Sequence, residues 1–77
     1  MLSAYVLIET QVGKVAHVAQ ALNHLDGVES AEDLAGPYDV IARVLAPDLD
    51  QLGRLVAFRI QSVDGVTRTL TCTVIHR

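Results

Sequence analysis

The chain has 77 residues, of which 51% are apolar, with a net charge of −3 and a single cysteine, Cys72. Its length suits one domain over residues 1–77, and its six basic residues (Lys14, Arg43, Arg54, Arg59, Arg68 and Arg77) are too scattered to form a nucleic-acid surface. A lone cysteine excludes an internal disulfide, no apolar run approaches the roughly 20 residues of a membrane span, and no signal peptide is visible, so a cytoplasmic protein is expected.

Residues 2–9, LSAYVLIE, place Ala4, Val6 and Ile8 on one face and Tyr5, Leu7 and Glu9 on the other. A strand apolar on both sides predicts a central position, covered twice. Gly13 opens a helical pattern in which Val15, Val18, Ala19, Leu22 and Leu25 share a face, and Asp26-Gly27 ends it. Residues 28–34 read as a polar strand carrying Glu29, Ser30, Glu32 and Asp33, which suits a sheet edge. Gly36-Pro37 turns the chain into a strongly apolar strand from Asp39 to Ala46.

Pro47-Asp48 starts the second helix, with Asp48 as its cap and Gln51 three residues on. Leu49, Leu52, Val56, Ile60 and Val63 mark its apolar face, and Asp64-Gly65 repeats the earlier stop. The last segment, VTRTLTCTVI, alternates threonines with Leu70, Cys72 and Val74. The order β-α-β-β-α-β predicts an α+β, ferredoxin-like domain: a four-stranded antiparallel sheet with two helices on one face.

In that layout the first and third strands are central and the second and fourth are edges. Leu70, Cys72 and Val74 are expected to face the helices, which makes Cys72 an inert core thiol. The threonines then join Tyr5 and Leu7 on the open face. Glu9 and Arg43 are expected to pair across the two central strands, taken as parallel. A small chain this apolar has more nonpolar surface than its own core absorbs. Self-association through the open face is the inference.

The stretches DGVESAEDLAGPYDVIARV and DLDQLGRLVAFRIQSVDGVTRTLTCTVI, in this order, resemble the effector-binding domain of Lrp/AsnC transcriptional regulators. The Gly-x-Tyr-Asp loop and the V-T-R-T-x-T strand after Asp-Gly carry the resemblance, which covers essentially the whole chain. It implies a homodimer formed through the sheet, gathered into ring-like assemblies of dimers, with an amino-acid effector held between subunits near the loop. Full regulators of that family carry a helix-turn-helix domain before this one. The chain starts at its first strand, so the expectation is a stand-alone sensor that makes no direct nucleic-acid contact and could still assemble with a full-length Lrp/AsnC regulator.

Under that resemblance the candidate ligand-binding residues are Gly36, Pro37, Tyr38, Asp39, Thr69 and Thr71. Backbone amides around the turn suit a carboxylate and Asp39 suits an α-ammonium group, the two halves of a zwitterion. As local chemistry, Asp39 equally suits hydrogen bonding to nearby amides, and threonine is an ordinary strand residue. His17 and His24, seven apart, lack the spacing and the third ligand of a metal site. No catalytic residue, metal or cofactor is expected. The alternatives are a dimeric ferredoxin-like enzyme of monooxygenase type, which needs a polar cavity between sheet and helices, and a pure protein-interaction scaffold.

Overall fold

The structure, a computed structural model, describes residues 1–76; Arg77, one of the scattered basic residues, lies outside them. Four strands, β1 (Leu2–Thr10), β2 (Val28–Asp33), β3 (Val40–Ala46) and β4 (Val66–Thr73), form one sheet in the order β2-β3-β1-β4. All three pairings are antiparallel. The two apolar strands are therefore central and the polar and threonine-rich strands are edges, as their composition requires.

Helix α1 (Val15–Leu22) buries Val18, Ala19 and Leu22. Helix α2 (Leu49–Arg54) begins at Asp48, whose side chain accepts a hydrogen bond from the Gln51 backbone N–H at 2.8 Å. It continues as a π-helical segment, Leu55–Ile60, in which Gln61 N donates to Val56 O at 2.9 Å. Leu52, Leu55, Val56 and Ile60 are buried, whereas Leu49, expected in the core, stands in the first turn of α2 and is 67% exposed. The core is an aliphatic layer between sheet and helices in which Val6, Ile8, Val18, Leu22, Val40, Val44 and Ile60 are fully buried. No helix among the described residues is long and apolar enough to cross a membrane.

The two Asp-Gly stops are the same turn built twice. Val28 N donates to Leu25 O at 3.2 Å and Val66 N to Val63 O at 3.1 Å, with Gly27 at φ +91 and Gly65 at φ +99. Only glycine adopts such a φ without strain.

The register corrects three expectations. Thr69, Thr71 and Thr73 lie opposite Ile8, Val6 and Ala4, whereas Leu70 and Cys72 lie opposite Leu7 and Tyr5. Directly opposed residues share a face, so the threonines turn toward the helices, and Leu70 and Cys72 lie on the open face. Cys72 is exposed rather than a core thiol. Strand alternation says which residues go together but not which set points inward, and the edge position of β4 removes the burial that would have decided it. The central strands are antiparallel, so Arg43 stands opposite Tyr5, not Glu9. Its ion pair is with Glu29 (Nε to Oε1, 2.8 Å), and Glu9 is 3.7 Å from Arg68.

Both edge strands carry a one-residue bulge. Val28 pairs with Val44 and Ser30 with Arg43, which leaves Glu29 as the extra residue beside the arginine it binds. Glu9 pairs with Arg68 and Thr10 with Val66, so Thr67 is extra, and its hydroxyl donates to Glu9 O at 3.1 Å. Each bulge returns a valine to the core side after a polar residue has turned outward.

Candidate functional site

The turn between β2 and β3 is anchored at its base. Leu34 N donates to Asp39 O at 2.8 Å, and Asp39 N donates to Ile8 O at 2.9 Å. Gly36 and Pro37 are exposed at the tip, while Tyr38 and Asp39 are half-buried. The Asp39 side chain makes the same crossing to β1: its Oδ2 accepts from Thr10 N at 2.8 Å and from Thr10 Oγ1 at 3.3 Å. A carboxylate thus adds one further rung to the β3–β1 ladder at the point where the β4 register slips. Among the described residues Oδ1 has no protein partner.

Thr69 lies at the same end of the sheet. It pairs with Ile8, which pairs on its other side with Val40. One strand therefore separates the threonine from the loop, a distance of roughly 10 Å at ordinary strand spacing. The Thr69 hydroxyl accepts from Gln61 Nε2 at 2.8 Å. With Gln61, Thr67 and Arg68 it lines a polar cleft of about 360 Å³. Thr71 faces a different, apolar groove of about 310 Å³ beside Leu49, Leu52 and Val56. Gly36, Pro37, Tyr38 and Asp39 stay together as one loop; within a single chain no described cavity gathers them with Thr69 and Thr71.

Sequence reasoning missed Thr10, Gln61 and Arg68. Thr10 is 29 residues from Asp39, and nothing local marks the pair. Gln61 and Thr69 flank the Asp64-Gly65 turn, so that chain reversal is the signal that could have found them.

The open face of the sheet carries a row of apolar side chains, Ile41, Leu7 and Leu70, in direct register. Next to it the Arg43 guanidinium donates to the Tyr5 hydroxyl at 2.9 Å and binds Glu29. The Tyr5 hydrogen bond first, and then the Glu29 charge, raise the Arg43 pKa above its ordinary value. Arg43 therefore stays cationic at any physiological pH. His17 and His24 are exposed, and no group of three metal-type side chains occurs among the described residues.

A βαββαβ sheet with one face covered by helices places the chain among ferredoxin-like α+β domains. The sequence profile of the Lrp/AsnC ligand binding domain matches residues 3–77, and the chain belongs to that family. A protein of Thermus thermophilus, TTHA0845, has the same fold with a TM-score of 0.93 at 32% identity, covering 100% of this chain and 96% of that one. The transcriptional regulator NMB0573 of Neisseria meningitidis, solved as a complex with L-Met, shares the fold with a TM-score of 0.85 at 19% identity, over 97% of this chain and 50% of that one.

Among curated relatives, an uncharacterized HTH-type transcriptional regulator of Pyrococcus abyssi is 28% identical over 68 residues. A homocitrate synthase of Sulfurisphaera tokodaii is 32% identical over 60 residues. The matches cover 88% and 78% of this chain but only 43% and 13% of those proteins.

Proposed function

We propose that the domain is a non-enzymatic amino-acid sensor that holds its ligand at a boundary between subunits. The observation that carries this reading is the Asp39 carboxylate. One oxygen is used to clamp β1, and the other is unpartnered among the described residues, on a loop whose tip is exposed. In this reading Oδ1 takes the ligand ammonium, and the backbone amides of Gly36 and Tyr38, on either side of Pro37, take its carboxylate. Thr69 and Thr71 belong to the same site only if the loop of one subunit docks against β4 of another, which is how a ligand comes to report assembly.

Family membership supports sensing, and the fold neighbour crystallised with L-Met supports the ligand class. The apolar row of Leu7, Ile41 and Leu70 supports a homodimer through the sheet face. The enzyme alternative needs a polar cavity between sheet and helices, and Val6, Ile8, Val18, Leu22, Val44 and Ile60 fill that space. A role in transcription through a full-length Lrp/AsnC partner, and a ring of dimers, are part of the same proposal, with family membership as their support.

A ligand that binds the folded assembly at about 100 times its Kd adds about 2.7 kcal/mol of stability. For a domain of this size that amounts to a Tm rise of roughly 10 °C or more. The test is a thermal-shift screen of the twenty amino acids run beside light scattering. One or a few amino acids should raise Tm and the mean mass together. A monomer at tens of micromolar that responds to none of them overturns the reading.

A further inference from the structure

We propose a second small-molecule site, separate from the Asp39 loop, for an α-amino acid with an apolar side chain. It is the groove of about 340 Å³ between the π-helical segment and the far end of β3, lined by Asp26, Pro47, Arg54, Leu55, Phe58 and Arg59 among others. The loop adjoins the start of β3 and this groove adjoins its end. At ordinary strand rise that sets the two sites roughly 20 Å apart.

Three features of the groove fit a zwitterion with a nonpolar tail. It presents both signs of charge, with Arg54 and Arg59 on the helix side and Asp26 at the turn into β2. Arg54 is engaged through its Nε with Asp50 at 3.1 Å, which leaves its terminal nitrogens outside that ion pair. Arg59 and Asp26 form no hydrogen bond or ion pair with any described side chain. A guanidinium matches a carboxylate in planar, two-point fashion, and a carboxylate such as Asp26 matches an ammonium.

The remaining wall is apolar, and its exposure is otherwise unexplained. Phe58, the only phenylalanine, is 68% exposed although the neighbouring Leu55, Val56 and Ile60 are buried. The π winding carries the buried face from Leu55 and Val56 on to Ile60, and Phe58 and Arg59 lie on the exposed side of it. π-helical turns inside α-helices are rare and are found frequently at functional sites. An apolar cleft with a few convergent polar groups, in this volume range, is the ordinary form of a small-ligand site.

The site would take the carboxylate at Arg59 with help from Arg54, the ammonium at Asp26, and the tail against Phe58, Leu55 and Pro47. No subunit contact is needed to complete it. It is therefore open to ligand in every assembly state that leaves this end of the domain uncovered.

The test is an amide-resolved NMR titration with L-leucine, with its 2-oxo acid analogue, and with isopentylamine. L-leucine should shift the amides of Gly27, Leu55 and Phe58 in a saturable way. Arg59→Gln should weaken that binding at least tenfold while the shifts at Gly36–Asp39 keep their wild-type midpoint. Asp26→Asn should abolish the preference for leucine over the oxo acid. Both substituted side chains are exposed, and an unchanged Tm confirms that the variants fold. Shifts confined to Gly36–Asp39 overturn the groove and leave the loop reading standing; shifts confined to the groove do the reverse. Groove shifts that depend on protein concentration but not on leucine overturn the small-ligand site in favour of contact with a second copy.

Discussion

Replacing Asp39 by alanine removes the acceptor of the Thr10 backbone N–H, a part-buried bond of 2.8 Å made to a charged group. Hydrogen bonds of this kind contribute about 2 kcal/mol each, and their loss leaves the donor unpaired beside the end of the central strand. A 77-residue domain has a total stability of only about 4–12 kcal/mol, so the loss is a sizeable share of it. The corresponding fall in Tm is about 8–16 °C.

Asparagine keeps an oxygen at the same place without the charge. Asp39→Asn should therefore lose about 1 kcal/mol, or about half the alanine effect. Thr10→Ala tests the long 3.3 Å hydroxyl contact alone and should cost only about 0.5 kcal/mol or less. The assay is urea unfolding followed by circular dichroism without any amino acid present. The reasoning fails if Asp39→Ala unfolds at the wild-type midpoint, or if the order alanine, asparagine, Thr10→Ala is not obeyed. The outcome also decides how ligand experiments are read. With amino acid present, a fall in Tm from Asp39→Ala mixes a lost clamp with a lost ligand contact, and comparing each variant with and without the amino acid separates the two.

Four further substitutions, one of them a control, probe contacts elsewhere in the domain. Asn23→Ala should cost about 1–3 kcal/mol by urea unfolding, because its amide makes three bonds, to Ala19 O, Ala31 O and Ala31 N; an unchanged midpoint refutes this. Gly65→Ala forces a Cβ to within 2.9 Å of the Lys14 Cβ at a φ of +99 and should lower stability by about 1–3 kcal/mol. Gly36→Ala, with open space around it, is the matched control, and equal melting points for the two contradict the steric account. Ser3→Ala should be neutral or stabilising by about 1 kcal/mol, since the Ser3 hydroxyl is buried without a partner among the described residues; a loss of more than about 1 kcal/mol shows that the hydroxyl is used.

Much of the fold is written in local periodicity. The both-sided apolarity of residues 2–9 and 40–46 places them centrally, and two Asp-Gly pairs fix where the helices stop. Asp48 declares its helix start, and the structure uses it as a cap. What could not be read depends on contacts between distant residues. The face of β4 is set by a bulge at Thr67 and by pairing with β1, and both choices of face give the same alternation in sequence. The π winding of residues 55–60 leaves no mark that a regular helical count detects, and the apolar face read from the sequence includes Leu49, which is exposed, and not Leu55, which is buried. At the loop, residue types are legible and geometry is not. The residue types offer Asp39 either a ligand or an amide to meet, and the amide it meets is that of Thr10, not one in its own turn.

Asn23 has a consequence for how the protein behaves in a crowded solution. Its side-chain amide accepts from the N–H and donates to the C=O of Ala31, which lies in the middle of the edge strand β2. Those are the two backbone groups that an incoming strand from another molecule has to capture to extend the sheet. A side chain standing in for that strand, flanked by Glu29, Glu32 and Asp33, closes one border of the sheet to templated growth. Sheet extension across that border, the route to open fibres, is thereby blocked at Ala31. Removing that one amide at the end of α1 should show first as slow turbidity on storage, before any change in secondary structure.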